Sequence, residues 1–243
     1  MRKPAQGVWN IVRFNWHFYA AAAGVALLLA AVALGGGPAW QPYLLALLVL
    51  ISAPVVVSLL VSYYVYDCSA LYSLSWLEPG AAPARIVNIH AGFDETSALL
   101  RQRFGAAELE VIDFYDPREH TEVSIRRARA AYPPFAGTRR AAPQALPLPA
   151  SSADQVFVIL AAHEIRQPAQ RVAFLREIRR VLRPGGQLVV VEHLRDPANF
   201  LAYTIGFLHF YSRASWLRDF VAAGFGPARE QKITPFIYAF TLR

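Results

Sequence analysis

Histidines and glutamates recur in this chain just after runs of apolar and β-branched residues. His90 follows Arg85-Ile86-Val87-Asn88-Ile89, His163-Glu164 follows Gln155-Val156-Phe157-Val158-Ile159-Leu160, and Glu192-His193 follows Gln187-Leu188-Val189-Val190-Val191, with Arg195 and Asp196 just beyond. An imidazole exchanges a proton near neutral pH and a neighbouring carboxylate steadies its charged form, so such pairs suit general-base work. His163 and His193 are the candidates for the base, helped by Glu164 and Glu192. The same groups can ligate a divalent cation, with His90, His163 and His193 as nitrogen donors. Sequence spacing leaves both chemistries open, because only the fold would bring these residues together.

The elements that must position them alternate between strands and helices. Strands are predicted at 85–89, 109–114, 155–160 and 187–191, and the last two are continuous apolar runs suited to burial on both faces. Helices are predicted near 95–104, 121–131, 168–182 and 215–223. In the third of these Val172, Leu175, Ile178 and Leu182 keep helical spacing, with Arg171, Arg176, Arg179 and Arg180 outside, and Pro184-Gly185-Gly186 ends it. A proline-rich loop occupies 133–149, and two closing strands near 229–234 and 236–242 read as an antiparallel edge. This pattern implies an α/β, doubly wound, mainly parallel sheet, whose ligands bind beyond the carboxyl ends of the strands. Asp94 and Thr96 suit the capping of the helix that follows them.

The segment from Phe174 through Leu182-Arg183-Pro184-Gly185-Gly186 to Glu192-His193 resembles the late helix, turn and strand of the class I S-adenosylmethionine-dependent methyltransferases. Leu146-Pro147-Leu148-Pro149 with Ala153-Asp154-Gln155-Val156 resembles their approach to the fourth strand, and the order of elements after residue 80 agrees. The resemblance implies a Rossmann-like fold, S-adenosylmethionine as cofactor and methyl transfer to an aligned acceptor. It implies cofactor contacts from Asn88, His90, Ala91, Gly92 and Phe93 around the first loop, Asp113 and Phe114 at the end of the second strand, and Ala161 after the fourth. Asp113, or Asp116 three positions on, stands where the family's acid accepts both ribose hydroxyls. The chain departs from the family where Asn88 replaces an acid, where Gly92 alone remains of three alternating glycines, and where Ala142 replaces an aspartate that meets the adenine.

Ahead of this domain, no Asp, Glu, Lys or Arg lies between Arg13 and Asp67, although 17% of the 243 residues are charged. The apolar runs 18–34 and 43–66, split by Gly35-Gly36-Gly37-Pro38, are each long enough to cross a hydrocarbon core about 30 Å thick. Aromatic residues gather at their ends, as at a headgroup boundary. A transmembrane hairpin is the expectation; a buried helix pair, a signal segment ending near Ala31-Val32-Ala33, and a shallow loop bent at Pro54 compete with it. Arg2, Lys3 and Arg13 before an uncharged connecting loop put both ends in the cytoplasm of a bacterial-type inner membrane, as a multi-pass protein.

The chain therefore divides at 1–70 and 71–243. A single cysteine, Cys68, excludes an internal disulfide and fits a reducing compartment. The net charge of +7 arises from scattered arginines, which favours anionic lipid over nucleic acid as a partner. The aromatic stretch 200–211 is a candidate for acceptor binding, for bilayer contact or for a core helix. The expected function is a membrane-anchored methyltransferase acting on a hydrophobic small molecule or lipid. The alternatives are a non-catalytic subunit that assembles with membrane-protein partners through the hairpin, and a metal-dependent enzyme using the histidines.

Overall fold

The computed structural model describes residues 2–78 and 82–243. An amphipathic helix α1 (Gln6–Phe14) buries Gly7, Asn10 and Phe14, which share one face by their spacing of three and four. Two long helices follow, α2 (Trp16–Gly35) and α3 (Gln41–Tyr63), and α3 runs on through a wide turn over Tyr64–Cys68. Both are long and apolar enough to cross a membrane. Leu27, Leu28, Leu34, Val49, Leu50 and Leu60 stand exposed on them, which a core helix pair would not allow.

The remaining elements are β1 (Arg85–His90), α4 (Ser97–Arg103), β2 (Glu108–Asp113), α5 (Val123–Ala131), β3 (Arg139–Arg140), β4 (Ala153–Ile159), α6 (Pro168–Val181), β5 (Leu182–His193), α7 (Pro197–Tyr203), α8 (Arg213–Ala222), β6 (Arg229–Thr234) and β7 (Ile237–Leu242). They build one seven-stranded sheet in the order β3-β2-β1-β4-β5-β7-β6. All pairings are parallel except those of β7 with β5 and β6. The doubly wound, mainly parallel sheet with a closing antiparallel pair is thus as the sequence implies. Two elements differ: β5 starts at Leu182, through a pairing with Ala153 ahead of the Pro-Gly-Gly segment, and the two-residue β3 lies inside the proline-rich loop.

Each face of the sheet is covered. On one side Phe174, Leu175 and Ile178 of α6 and Trp216 and Phe220 of α8 pack onto Val156, Val158, Leu188 and Val190. On the other, Val65, Leu71, Leu74 and Trp76 cover Ile86, Phe157, Val189 and Val191. Val65 and its successors belong to that layer, so a division between residues 70 and 71 falls inside it. The extension of α3 therefore packs directly onto the sheet.

Candidate active site

The β4–β5 register sets Ile159 against Val191, and Leu160 then turns the chain with a left-handed backbone (φ 52°) while its amide donates to Val191 O at 2.8 Å. A bulky residue is disfavoured in that region, and here it marks the place where β4 hooks back over β5. The hook delivers His163 to Glu192. The His163 amide donates to Glu192 Oε1 at 3.1 Å, its ring Nδ1 lies 2.6 Å from Glu192 Oε2, and its Nε2 lies 3.2 Å from Glu164 Oε1. Burial alone would lower the histidine's pKa, but Glu192 and Glu164 outweigh it and push it up to about 10. Burial would raise Glu164, and the hydrogen bonds and charges of His163 and His209 instead hold it well below the usual carboxylate range. At neutral pH the ring is an imidazolium clamped between two carboxylates.

His193, one residue beyond Glu192, has a different fate. Its Nδ1 lies 3.0 Å from Asn199 Oδ1, its Nε2 lies 2.8 Å from Tyr66 Oη, and its ring stacks on Phe210 at 4.7 Å. Because Asn199 spends its Nδ2 on Asp196 and on Phe236 O, the His193 ring donates from Nδ1 and accepts from the tyrosine. Burial pushes its pKa down to about 4. A neutral ring with both nitrogens engaged ties α3's extension to the sheet. Of the two histidines foreseen as the base, His163 has the carboxylates.

On the other half of the crevice the β1–β2 register pairs His90 with Asp113. Gly92 N donates to His90 Nδ1 at 3.1 Å, which leaves the His90 proton on Nε2. That nitrogen is buried and without a hydrogen-bond partner among the described residues, as is Asp94 Oδ2, 4.0 Å away. Asp113 accepts from Tyr115 N at 2.9 Å and from Arg129 Nη1 at 2.6 Å, and Arg129 also reaches Gly92 O at 3.1 Å. Gly92 has φ 99°, and a Cβ there would stand 2.9 Å from Arg129 Nη1 and 3.0 Å from Tyr115 Cδ2, so glycine is required. Asn88 anchors the helix that follows the loop. Its side chain is fully buried and donates to Thr96 Oγ1 (2.9 Å) and Ser97 Oγ (2.8 Å), securing the start of α4 and lining neither cavity.

Two cavities lie along this edge, both walled by Glu164. The larger, about 630 Å³, is bounded by Asp113, Phe114, Tyr115, Asp116 and the loop bearing Ala142. The smaller, about 270 Å³, is bounded by His90, Ala91, Phe93, His163, His193 and Phe210 from the sheet side. Ala161 is buried behind them and accepts from Glu164 N at 3.1 Å. The far wall of the smaller cavity is α1, through Gly7, Asn10, Ile11 and Phe14, together with Tyr66 and Tyr72.

That wall is absent from the sequence-based reading, where residues 1–17 carry no element. The signal was the spacing of Gly7, Asn10 and Phe14. Asp67 holds α1 by accepting from Gly7 N at 2.7 Å and Val8 N at 2.8 Å. Arg2 donates to Glu95 at 2.7 Å, and Tyr132 Oη donates to Asn10 Oδ1 at 2.8 Å.

The three histidines foreseen as metal donors do not meet. Among the described residues the group close enough to share a cation is His163, Glu164 and His209, with ligand atoms within 4.8 Å of one another. Arg166 already sits there, its Nη2 3.9 Å from Glu164 Oε2 and 3.8 Å from Glu122 Oε1, supplying positive charge.

A family model described as a methyltransferase domain matches residues 91–190. No curated protein matches the chain. Among solved structures, human N-acetylserotonin methyltransferase in complex with S-adenosylmethionine superposes over 99% of this chain and 60% of its own, at 14% identity and TM-score 0.53. A chain of the complex between the Haloferax volcanii Trm112 methyltransferase activator and its methyltransferase covers 72% of this chain and 88% of its own, at 16% identity and TM-score 0.51. LaPhzM covers 72% of this chain and 54% of its own, at 18% identity and TM-score 0.51. At these identities the likeness is one of fold.

Proposed function

We propose that this chain, a member of the class I S-adenosylmethionine-dependent methyltransferases, is held in a bilayer by α2 and α3 and methylates a hydrophobic acceptor drawn from it. The observation that carries the reading is the His163–Glu192 pair at 2.6 Å on the wall of a cavity whose opposite wall is α1 and Tyr66, at the foot of two membrane-length helices. A catalytic cavity so placed suits an acceptor that already resides in the bilayer, whose local concentration the anchor raises.

The crevice fits S-adenosylmethionine in two respects. His90 Nε2 offers a buried, unpartnered donor from a residue on the wall of the smaller cavity, which suits the carboxylate of the amino-acid end. Asp113 has two donors on a carboxylate that can accept about four, so lone pairs remain for the ribose beside the larger cavity. Phe114 and the Ala142 loop would then flank the adenine, with Ala142 contributing shape rather than a hydrogen bond.

The bound cofactor supplies an electrophilic methyl group on a positively charged sulfonium. His163 Nε2 must be free of its proton to act as the base, and a positive charge brought into the cavity favours that state by repulsion. The acceptor's proton then moves onto Nε2, while Glu192 keeps Nδ1–H in place and stabilises the imidazolium that forms. Phe93, Phe14 and Phe210 present apolar surface to the acceptor, and α1 excludes water.

The test uses the full chain in lipid nanodiscs. Titration calorimetry should find S-adenosylmethionine binding that survives in His163→Gln. Transfer of labelled methyl into an organic-extractable lipid fraction should fall by about 10²- to 10⁴-fold in that variant. Wild-type protein that binds no cofactor at millimolar concentration would instead favour a non-catalytic assembly subunit, a reading supported by the Asp113–Arg129 ion pair and the single loop glycine.

A further inference from the structure

Apart from α2 and α3, large exposed apolar side chains concentrate on α7 and the short helical turn after it. Phe200 is 48% exposed, Leu201 72%, Ile205 79% and Leu208 55%. Four such residues within nine positions are an apolar patch that a water-facing surface would not keep without a partner. The structure locates this patch against the long helices: α7 packs on α3. Tyr203, at the end of α7, lies beside Ser62 of α3. Ser62 is one residue from the end of α3, so it lies within the last turn of that helix, at about 1.5 Å of rise per residue.

From this we infer that α7 and its following turn form a second bilayer contact, a wedge that enters the leaflet around the foot of the hairpin. This rests on the reading of α2 and α3 as membrane-spanning. An element that packs on α3 beside Ser62 cannot stand clear of the headgroup layer if the hairpin spans, and Phe200, Leu201, Ile205 and Leu208 are then surrounded by acyl chains.

The backbone is prepared for that setting. Arg195 donates to Leu208 O at 2.5 Å and Phe210 O at 2.8 Å, and Arg166 donates to His209 O at 2.8 Å. Carbonyls that a helix end leaves open are thus satisfied within the protein, as hydrocarbon demands, and their arginines lie where anionic headgroups attract them. Phe210, which stacks on His193 in the cavity wall, follows the wedge directly. The mouth of the smaller cavity accordingly opens at leaflet depth, and the acceptor reaches it by lateral diffusion in the bilayer.

The experiment places one environment-sensitive fluorophore at a time on full-length Cys68→Ser protein in phosphatidylglycerol-containing nanodiscs, at Ile205→Cys, Leu201→Cys, Leu28→Cys in α2, or Arg183→Cys at the far end of the sheet. Ile205 and Leu201 labels should shift to the blue and lose more than half their intensity to lipids spin-labelled near the headgroup, the Leu28 label should be quenched by lipids spin-labelled in mid-chain, and the Arg183 label should respond to neither. Quenching of the Leu28 label alone overturns the wedge and leaves the hairpin reading standing. Failure of the Leu28 label to quench overturns the hairpin reading and the wedge with it. A blue shift at Ile205 that spin-labelled lipid cannot quench assigns the patch to a protein partner or a second copy and overturns it equally.

Discussion

His163, paired with Glu192, differs from His193 in its partners, since burial lowers both histidine pKa values and only His163 has carboxylates that outweigh it. All three lie on β4 and β5 ends that the apolar runs predict, and the histidine–glutamate chemistry is legible from their positions. The sequence could not rank His163 above His193, because the ranking depends on Asn199, Tyr66 and Phe210, which come from three other segments. Glu192→Gln removes the charge that most raises His163, so the pH at which the base becomes available should fall, and the maximal rate should fall too as the imidazolium loses its stabiliser. A pH–rate profile whose rising limb stays in place would refute the assignment.

His193 gives a stability prediction of opposite character. Its folded pKa, near 4, is below the unfolded value of about 6.5. Its neutral form therefore contributes stability that is whole above pH about 6.5 and lost as pH falls toward about 4. Melting temperatures of wild type and His193→Gln, compared across that window, should converge on acidification. A constant difference would mean that the histidine does not titrate against folding.

Among elements, strands and helices carrying strong periodicity or continuous apolar runs fall within a few residues of their predicted bounds. What escaped was α1, whose nine residues are too few to be stable as a helix alone and whose stability comes from contacts made far along the chain. Asp67 supplies the missing helix cap from 60 positions away. Asp67→Ala should destabilise α1 by about 0.5–2 kcal/mol, a typical cap loss. Hydrogen exchange over residues 6–14 should accelerate, and acceptor KM should rise with cofactor affinity nearly unchanged. Gly7→Ala should act in the same direction, because a Cβ there collides with Tyr66 Cβ. Unaltered exchange in both variants would show that α1 is held by its apolar face alone.

For the whole molecule, the charge-free stretch from Phe14 to Tyr66 was the easiest feature to read, since the information is local and compositional. The cavity was the hardest, because its walls come from α1, the α3 extension, two loops and the segment after α7. The two readings join at residues 65–76, where the chain leaves the hairpin and immediately covers one face of the sheet. If α2 and α3 span, as proposed, such a joint fixes the sheet's carboxyl edge relative to the bilayer, and it fixes topology as well. Cys68, exposed at that joint, and Gly37, in the uncharged turn between the long helices, then lie on opposite sides of the membrane. A membrane-impermeant maleimide should label Cys68 only in inverted vesicles, and a Gly37→Cys, Cys68→Ser protein only in right-side-out ones. Labelling of both from one side would mean that the helices, although about 30 Å or more in length, dip into one leaflet and return, with Pro54 at the bend.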